Sequence, residues 1–287
     1  MTEGSSARRR LRRKQRFALV AVLIVMAAAG SGFALSTSVG DRGPFPRAME
    51  ADTRPTTGAV TTYRDIEADP GSDITGPTEA PEPTPPPLYY SGTGTWSYAP
   101  ARPGDVLGDS GELLRYNVAV EDGLEIDVDR FSDFVHATLA DERSWTAGGG
   151  WRFEQVGKSG ADFTVYLASP EQRSALCRHP GTRVSCRNGD RVVINSARWI
   201  TAVGHWDGTL ETYRQYVVNH EIGHRLGHPH EVCPEEGEKS PVMAQQTFQL
   251  AGCESNAWPY PDGETYLEGP AGEYGGPALP PDEYADR

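Results

Sequence analysis

The sequence predicts an α/β (α+β) fold in which helices pack on a mixed, twisted sheet. Three observations predict it. Runs rich in β-branched and aromatic residues occupy Leu113–Val120, Phe163–Leu167 and Arg191–Ile200. Apolar residues recur at helical spacing over Val128–Ala140, and a second, longer helix is expected from about Leu210 to Leu226. Strand, helix, strands and a late helix is the order of a layered α/β domain.

Each element has its own signal. Leu113–Val120 (LLRYNVAV) suits a strand, and Glu121-Asp122-Gly123 after it reads as a turn. In the next segment Phe131, Phe134, Val135 and Leu139 share one helical face, and Asp129 is a candidate cap. Gly148–Gly150 open a second strand over Trp151–Val156. Phe163–Leu167 (FTVYL) gives the third strand and Arg191–Ile200 (RVVINSARWI) the fourth. Asp207 or Thr209 then caps the late helix.

The flanks differ in composition from this domain, which is expected over residues 96–260. Residues 1–16 form a basic cytoplasmic segment, and residues 17–40 carry no charge, with an almost continuous apolar run from Phe17 to Ala29. Such a run beside a basic cluster inserts with its basic end in the cytoplasm. It serves either as a retained signal anchor or as a signal peptide cut after a small-residue site such as Ala27-Ala28-Ala29. The expected location is therefore the cell membrane, single-pass with an extracytoplasmic domain, or else the secreted fraction. Residues 41–95, with PEPTPPP at Pro81–Pro87, read as a disordered Pro-rich tether. Residues 261–287, rich in Pro, Gly and acid, read as a flexible acidic tail.

Charge narrows the partners. The chain of 287 residues carries a net charge of -13, but 7 of its 27 basic residues lie in the first 16 positions with a single acid. The remainder therefore holds 20 basic against 39 acidic residues, a net -19. This acidic body argues against nucleic acid as a partner, because phosphate contacts need clustered Lys and Arg.

The late helix carries the chemistry. Residues 220–230 read HEIGHRLGHPH. His220 and His224 stand four apart, so both project from one helical face and can reach a single zinc ion at about 2.0–2.1 Å. Glu221 is turned about 100° around the axis, placed for the metal's water rather than for the metal. Gly227 is placed to end the helix at positive φ and Pro229 prevents it from resuming, so His230 can return as a third ligand. Three protein ligands plus water is the pattern of a catalytic zinc site; structural sites use four closed ligands.

This motif is similar to the extended zinc motif of the metzincin peptidases, matching at His220, Glu221, His224, Gly227 and His230. Ser240-Pro241-Val242-Met243 follows, and the resemblance implies that Met243 forms the methionine-bearing turn beneath the metal. The basic anchor, the Pro-rich tether and HEIGHRLGHPHEVCP followed by PVMAQQT also resemble an actinobacterial family of membrane-tethered or secreted metzincin-like proteins of uncharacterised function. The resemblance covers about residues 95–260. It implies a cleft with an upper sheet and a lower part bearing the third ligand and the methionine turn. The sequence also departs from the pattern. Gln245 stands where some metzincins place a switchable tyrosine ligand. Glu231 follows the third histidine as in astacins, but the rest of the astacin pattern is missing.

The four cysteines, Cys177, Cys186, Cys233 and Cys253, fit an oxidising compartment. Three connectivities are possible; Cys177–Cys186 with Cys233–Cys253 is the simplest and leaves no thiol near zinc. His136, His179 and His205 are expected to be structural or solvated, and His228 to face solvent. The strand from Arg191 is expected to stand where metzincins present a substrate-pairing edge, with edge and inner placement both open. The functional expectation is an extracytoplasmic zinc-dependent endopeptidase with one catalytic zinc ion, acting on a peptide or protein substrate with Glu221 as general base. The alternative is a tethered binding module with a structural or inactive zinc site.

Overall fold

The computed structural model describes residues 85–275 and 279–286, all within one compact unit of the chain. The basic segment 1–16, the apolar segment 17–40 and most of the expected tether lie outside the described residues. Among the described residues no helix is long and apolar enough to cross a membrane.

A mixed, twisted seven-stranded sheet forms the centre, built on the longest strand, β3 (Glu112–Glu121). Its first half pairs in parallel with β4 (Trp151–Gln155), and the stretch from Tyr116 onward with β5 (Phe163–Ala168). Beyond β5 lies β7 (Arg191–Asn195), also parallel. Three short strands are antiparallel: β1 (Trp96–Tyr98) on β3, β2 (Val106–Leu107) on β4 and β6 (Cys186–Asn188) on β7. The expected Arg191 strand is thus an inner strand, and the edge beside it belongs to β6. Two and three residues are too short for an alternation pattern, which is why β1, β2 and β6 escaped the sequence reading.

Among the described residues four helices accompany the sheet: α1 (Val128–Ala140), α2 (Pro170–Cys177), α3 (Ser196–Thr201) and α4 (Leu210–Leu226). Helix α1 buries Phe131, Val135 and Leu139, the face its spacing predicted, at about 1.5–3 kcal/mol for each large side chain. Tyr116, Val118 and Val120 of β3 and Phe163, Val165 and Leu167 of β5 alternate into the same core. Tyr213, Tyr216, Val217 and Ile222 bring α4 onto it, against β7 and α1. The position of α4 on this core sets the position of the motif it carries.

Three expectations are corrected. Asp127, not Asp129, caps α1, accepting the Arg130 N–H at 2.8 Å; Asp129 falls in the first turn, where its charge suits the helix dipole. The fourth strand stops at Asn195, because the Asn195 side chain accepts the Ala197 N–H at 2.9 Å and starts α3. The two ends of the domain are held where free chain was expected. Gly94 N–H reaches Glu121 Oε1 at 3.1 Å and Thr93 N–H reaches Asp122 O at 2.9 Å, so the last tether residues are bound to β3 and the turn after it. Glu121 itself is buried with its other oxygen on Ser169 N–H at 2.8 Å, and a Cβ on Gly92 would come within 2.2 Å of this carboxylate. In the tail, Leu279 is buried, Asp282 pairs with Arg198, and Ala285 N–H bonds Leu88 O at 2.8 Å. Composition misled here because polar, Gly-rich chain satisfies its backbone groups on the domain rather than in elements of its own.

Candidate metal centre

Helix α4 starts at Thr209, whose side chain accepts the Thr212 N–H at 3.1 Å, and runs for 17 residues. Tyr213, Tyr216, Val217, His220 and His224 recur at intervals of three and four, so one side of α4 passes from core packing to imidazoles. The helix ends as the sequence required. Gly227 has φ 100°, its N–H bonds His224 O at 3.2 Å, and His228 N–H bonds Gly223 O at 3.0 Å. That pair of bonds is a Schellman motif, which needs a residue free to adopt positive φ. Past Pro229 the chain doubles back, and Glu231 N–H is fastened to Met243 O at 3.1 Å.

The result brings His220, His224 and His230 together as a group that could hold a metal ion, with one ligand atom of each within 4.8 Å of the others. Their outward nitrogens are already engaged. His220 Nδ1 lies 2.8 Å from Val242 O and His224 Nδ1 lies 2.9 Å from His228 O. A carbonyl oxygen only accepts, so both Nδ1 atoms carry the proton and both Nε2 atoms present a lone pair. His230 Nδ1 has Glu273 Oε1 at 3.4 Å. The Nε2 atoms of His224 and His230 face each other at 3.0 Å, where two lone pairs repel unless a cation or proton lies between them. Metal-bound histidines characteristically give their second nitrogen to a carbonyl or carboxylate, and all three do so here. The donor set therefore fits a divalent cation.

Electrostatics favour neutral imidazoles. Burial pushes His220 well below its usual pKa, and the neighbouring His224 adds to the effect. Burial likewise brings His224 down to about 4. Glu221 moves the opposite way. Burial raises its carboxyl to about 8, partly offset by the Arg173 guanidinium. Its Oε2 is buried without a hydrogen-bond partner among the described residues. The three histidines and Glu221 line one cleft of about 610 Å³, walled also by Arg173, Arg187 and Phe248.

Met243 lies directly below. It is fully buried in a turn closed by Ala244 N–H to Pro241 O at 2.9 Å, and its sulfur presses on α4 at Gly223. Both cysteine pairs are the simple ones. Cys233–Cys253 closes a loop that contains Met243, and Cys177–Cys186 joins the end of α2 to β6.

The remaining histidines are placed as follows. His136 lies between Tyr116 Oη, 3.4 Å from Nδ1, and Asp105, 3.2 Å from Nε2. His205 Nε2 reaches Gln246 O at 2.8 Å. His179 sits at the cleft and accepts Gly181 N–H at 3.1 Å. His228 does not face solvent as expected. Its ring is half-buried, 4.5 Å from the Trp145 ring and 5.4 Å from that of Tyr266, because the Schellman bend turns it under the helix end.

Several residues near the site were not singled out in the sequence. Arg173 is buried on α2 and donates to the carbonyls of Gly181, His179 and Ser185, bracing the loop between Cys177 and Cys186. Ser169-Pro170-Glu171-Gln172, an N-cap serine whose side chain accepts the Gln172 N–H with proline at the first helical position, would have located its helix. Glu231 is 6% exposed, with Tyr266 Oη and Gly269 N–H donating to its two oxygens at 3.0 and 3.2 Å. No sequence signal announces Tyr266, Gly269 or Glu273, which reach the site from more than 30 residues away.

Residues 83–261, more than half of the sequence, match the family described as "Protein of unknown function (DUF3152)". The chain belongs to this family. The matched region contains the three histidines, Glu221, Met243 and all four cysteines, and it stops short of Tyr266 and Glu273. No curated protein and no solved structure matches the chain.

Proposed function

We propose that this protein is a zinc-dependent endopeptidase of the metzincin type. The observation that carries the reading is the pairing of two features in one cleft. Three imidazoles have their Nδ1 atoms engaged and Nε2 atoms converging, and a buried carboxylate beside them keeps one oxygen unpartnered. A structural zinc site would need a fourth protein ligand and no such carboxylate. Among the described residues the metal-ligating group has three members. The buried turn at Met243 under α4 supports the metzincin assignment, as does the glycine bend at Gly227. The disulfides favour an oxidising, extracytoplasmic compartment. Attachment to the membrane through residues 17–40, or secretion after their removal, completes the proposal.

Zinc, when bound, supplies Lewis acidity toward a carbonyl oxygen and lowers the pKa of water toward ~7. The protein's own groups do the rest. Glu221 takes the proton of the attacking water and passes it to the leaving amine nitrogen, its buried Oε2 being without another hydrogen-bond partner among the described residues. Strand β6 presents an edge on which an extended peptide can add as a further strand, and Cys186 and Arg187 of that strand line the cleft. Burial holds His220 and His224 below the usual imidazole range, so both remain neutral and available as ligands.

Replacing Glu221 with Gln tests the reading. The variant should retain stoichiometric zinc and lose about 10²–10⁴-fold of the chelator-sensitive cleavage of a denatured protein. Undiminished cleavage by Glu221→Gln removes Glu221 from the mechanism. Zinc bound without cleavage of any peptide library would favour a tethered binding module instead.

A further inference from the structure

The three ligand imidazoles are not held alike. His220 and His224 give Nδ1 to main-chain carbonyls of Val242 and His228, acceptors that any sequence at those positions would supply. His230 meets a side chain instead, Glu273, from 43 residues further along. His230 is also the ligand outside α4, on a bend rather than a helix, so its ring orientation depends most on what surrounds it.

Those surroundings are closely fixed. Val232 N–H bonds Pro270 O at 2.9 Å, and Gly272 N–H bonds His230 O at 3.2 Å. Tyr274 N–H bonds Gln245 Oε1 at 2.9 Å, and Tyr274 Oη accepts Cys233 N–H at 2.7 Å. Residues on both sides of Glu273 are therefore tied to the chain segment that carries the third ligand and to the residue two beyond Met243. Upstream, the buried Glu231 carboxylate holds Tyr266 and Gly269, and Ala271 bridges to Glu231. The approach is close enough that a Cβ on Gly269 would come within 2.6 Å of Val232 O. The Glu273 side chain is 77% exposed, so packing does not hold it in place; the backbone bonds around it do.

We infer that Glu273 is a positioning residue of the metal centre, brought to His230 by the segment Tyr266–Tyr274 that Glu231 anchors. Accepting the Nδ1–H of His230 fixes the ring tautomer and directs Nε2 toward Nε2 of His224. The C-terminal stretch is then part of the site, although it lies beyond the matched family region. The inference rests on the metal-binding part of the proposed function and does not require peptidase activity.

The test is zinc affinity of the full chain, measured by competition with a chromophoric chelator, for the native protein, Glu273→Ala and Glu273→Gln. Loss of such a partner typically lowers metal affinity 10–100-fold, and that is the expected result for Glu273→Ala. Glu273→Gln keeps a carbonyl oxygen as acceptor and should recover most of the loss. With cobalt in place of zinc, the visible absorption should change in the Ala variant and stay near native in the Gln variant. The exposed position predicts unchanged far-ultraviolet dichroism for both. Equal zinc affinity in native protein and Glu273→Ala overturns the inference. A native chain that binds zinc but cleaves nothing overturns the peptidase reading alone, and the affinities still decide Glu273. A native chain that binds no zinc overturns both.

Discussion

The Nδ1 atom of His220 lies 2.8 Å from the carbonyl oxygen of Val242, so the turn that buries Met243 also orients the first histidine of the metal group. The same turn reaches α4 a second time through Tyr216, whose hydroxyl donates to Ala244 O at 3.0 Å. One turn therefore sets both the height and the rotation of the helix that carries His220 and His224. Its contact with Gly223 leaves no space. An ideal Cβ there would lie 2.4 Å from Met243 Sδ and 2.6 Å from the Trp145 ring.

Gly223→Ala follows directly as a test of that contact. In an open helix the change would stabilise by about 0.5–1 kcal/mol. Here overpacking at about 1–3 kcal/mol is the larger effect, so the variant should be less stable by urea denaturation. It should also bind zinc more weakly, since α4 must shift between His220 and His224. A more stable variant would mean that α4 and the Met243 turn are not in contact.

Met243 gives the complementary case. Met243→Leu conserves volume and should cost less than about 1.5 kcal/mol, whereas Met243→Ala should cost about 2–5 kcal/mol. Equal denaturation midpoints for the two variants would deny the side chain a packing role.

Without metal, the site should make stability depend on pH from both sides. Glu221 has a folded pKa raised to about 8 from its usual 4.5, so its contribution is complete below 4.5 and lost as pH rises through 8. His224 has a folded pKa lowered to about 4 from 6.5, so its contribution is complete above 6.5 and lost as pH falls through 4. Between 4.5 and 6.5 the two trends oppose each other. Above 6.5 only Glu221 acts, and the chelator-treated protein should lose stability toward pH 8. Glu221→Gln should abolish that decline. Parallel melting curves for native protein and Glu221→Gln from pH 6.5 to 8 would falsify the assignment.

Metal itself should act through mass action. Zinc at 1,000 times its dissociation constant stabilises a folded state that alone binds it by about 4.1 kcal/mol. Chelation should therefore lower the melting temperature of the native chain and leave that of a His224→Ala, His230→Ala double variant almost unchanged.

The metal group was legible because its information is local. His220, Glu221, His224 and Gly227 lie within one helix and its cap, and 3.6-residue geometry converts their spacing into position. The central strands were legible for a similar reason, since Tyr116, Val118 and Val120 alternate over enough residues to register a period of two. What escaped depends on long-range contact. Glu273 and Tyr266 lie in a Gly- and Pro-rich stretch whose composition signals free chain, and the Tyr266 hydroxyl on Glu231 with the backbone bonds of Pro270 and Gly272 to Val232 and His230 give them a place. Arg173 sits on a helix of eight residues, too short for its apolar spacing to stand out. His228 reads as solvent-facing because the sequence shows Pro229 beside it and not the rings of Trp145 and Tyr266 it packs against.

The docking of the C-terminal stretch rests at its far end on an ion pair, and burial sets the size of that contribution. Arg198 and Asp282 are 5% and 8% exposed at their side chains, and Tyr284 Oη donates to the second oxygen of Asp282 at 3.2 Å. Removing one partner of a buried pair leaves the other charged and out of water, at about 3–5 kcal/mol. Arg102 and Asp133 form the same kind of pair at 31% and 68% exposure, where water already solvates both groups and loss of the contact costs at most about 1 kcal/mol. Asp282→Ala should therefore shift the urea midpoint several times further than Asp133→Ala. It should also make residues 279–286 more susceptible to limited proteolysis, because Arg198 is paired with Asp282 within that stretch. Equal, small shifts in the two variants, with no new cleavage, would show that the stretch is held by its other contacts, Leu279 in the core, Arg183 on Leu279 O, the Tyr90–Tyr284 rings and the Ala285–Leu88 bond.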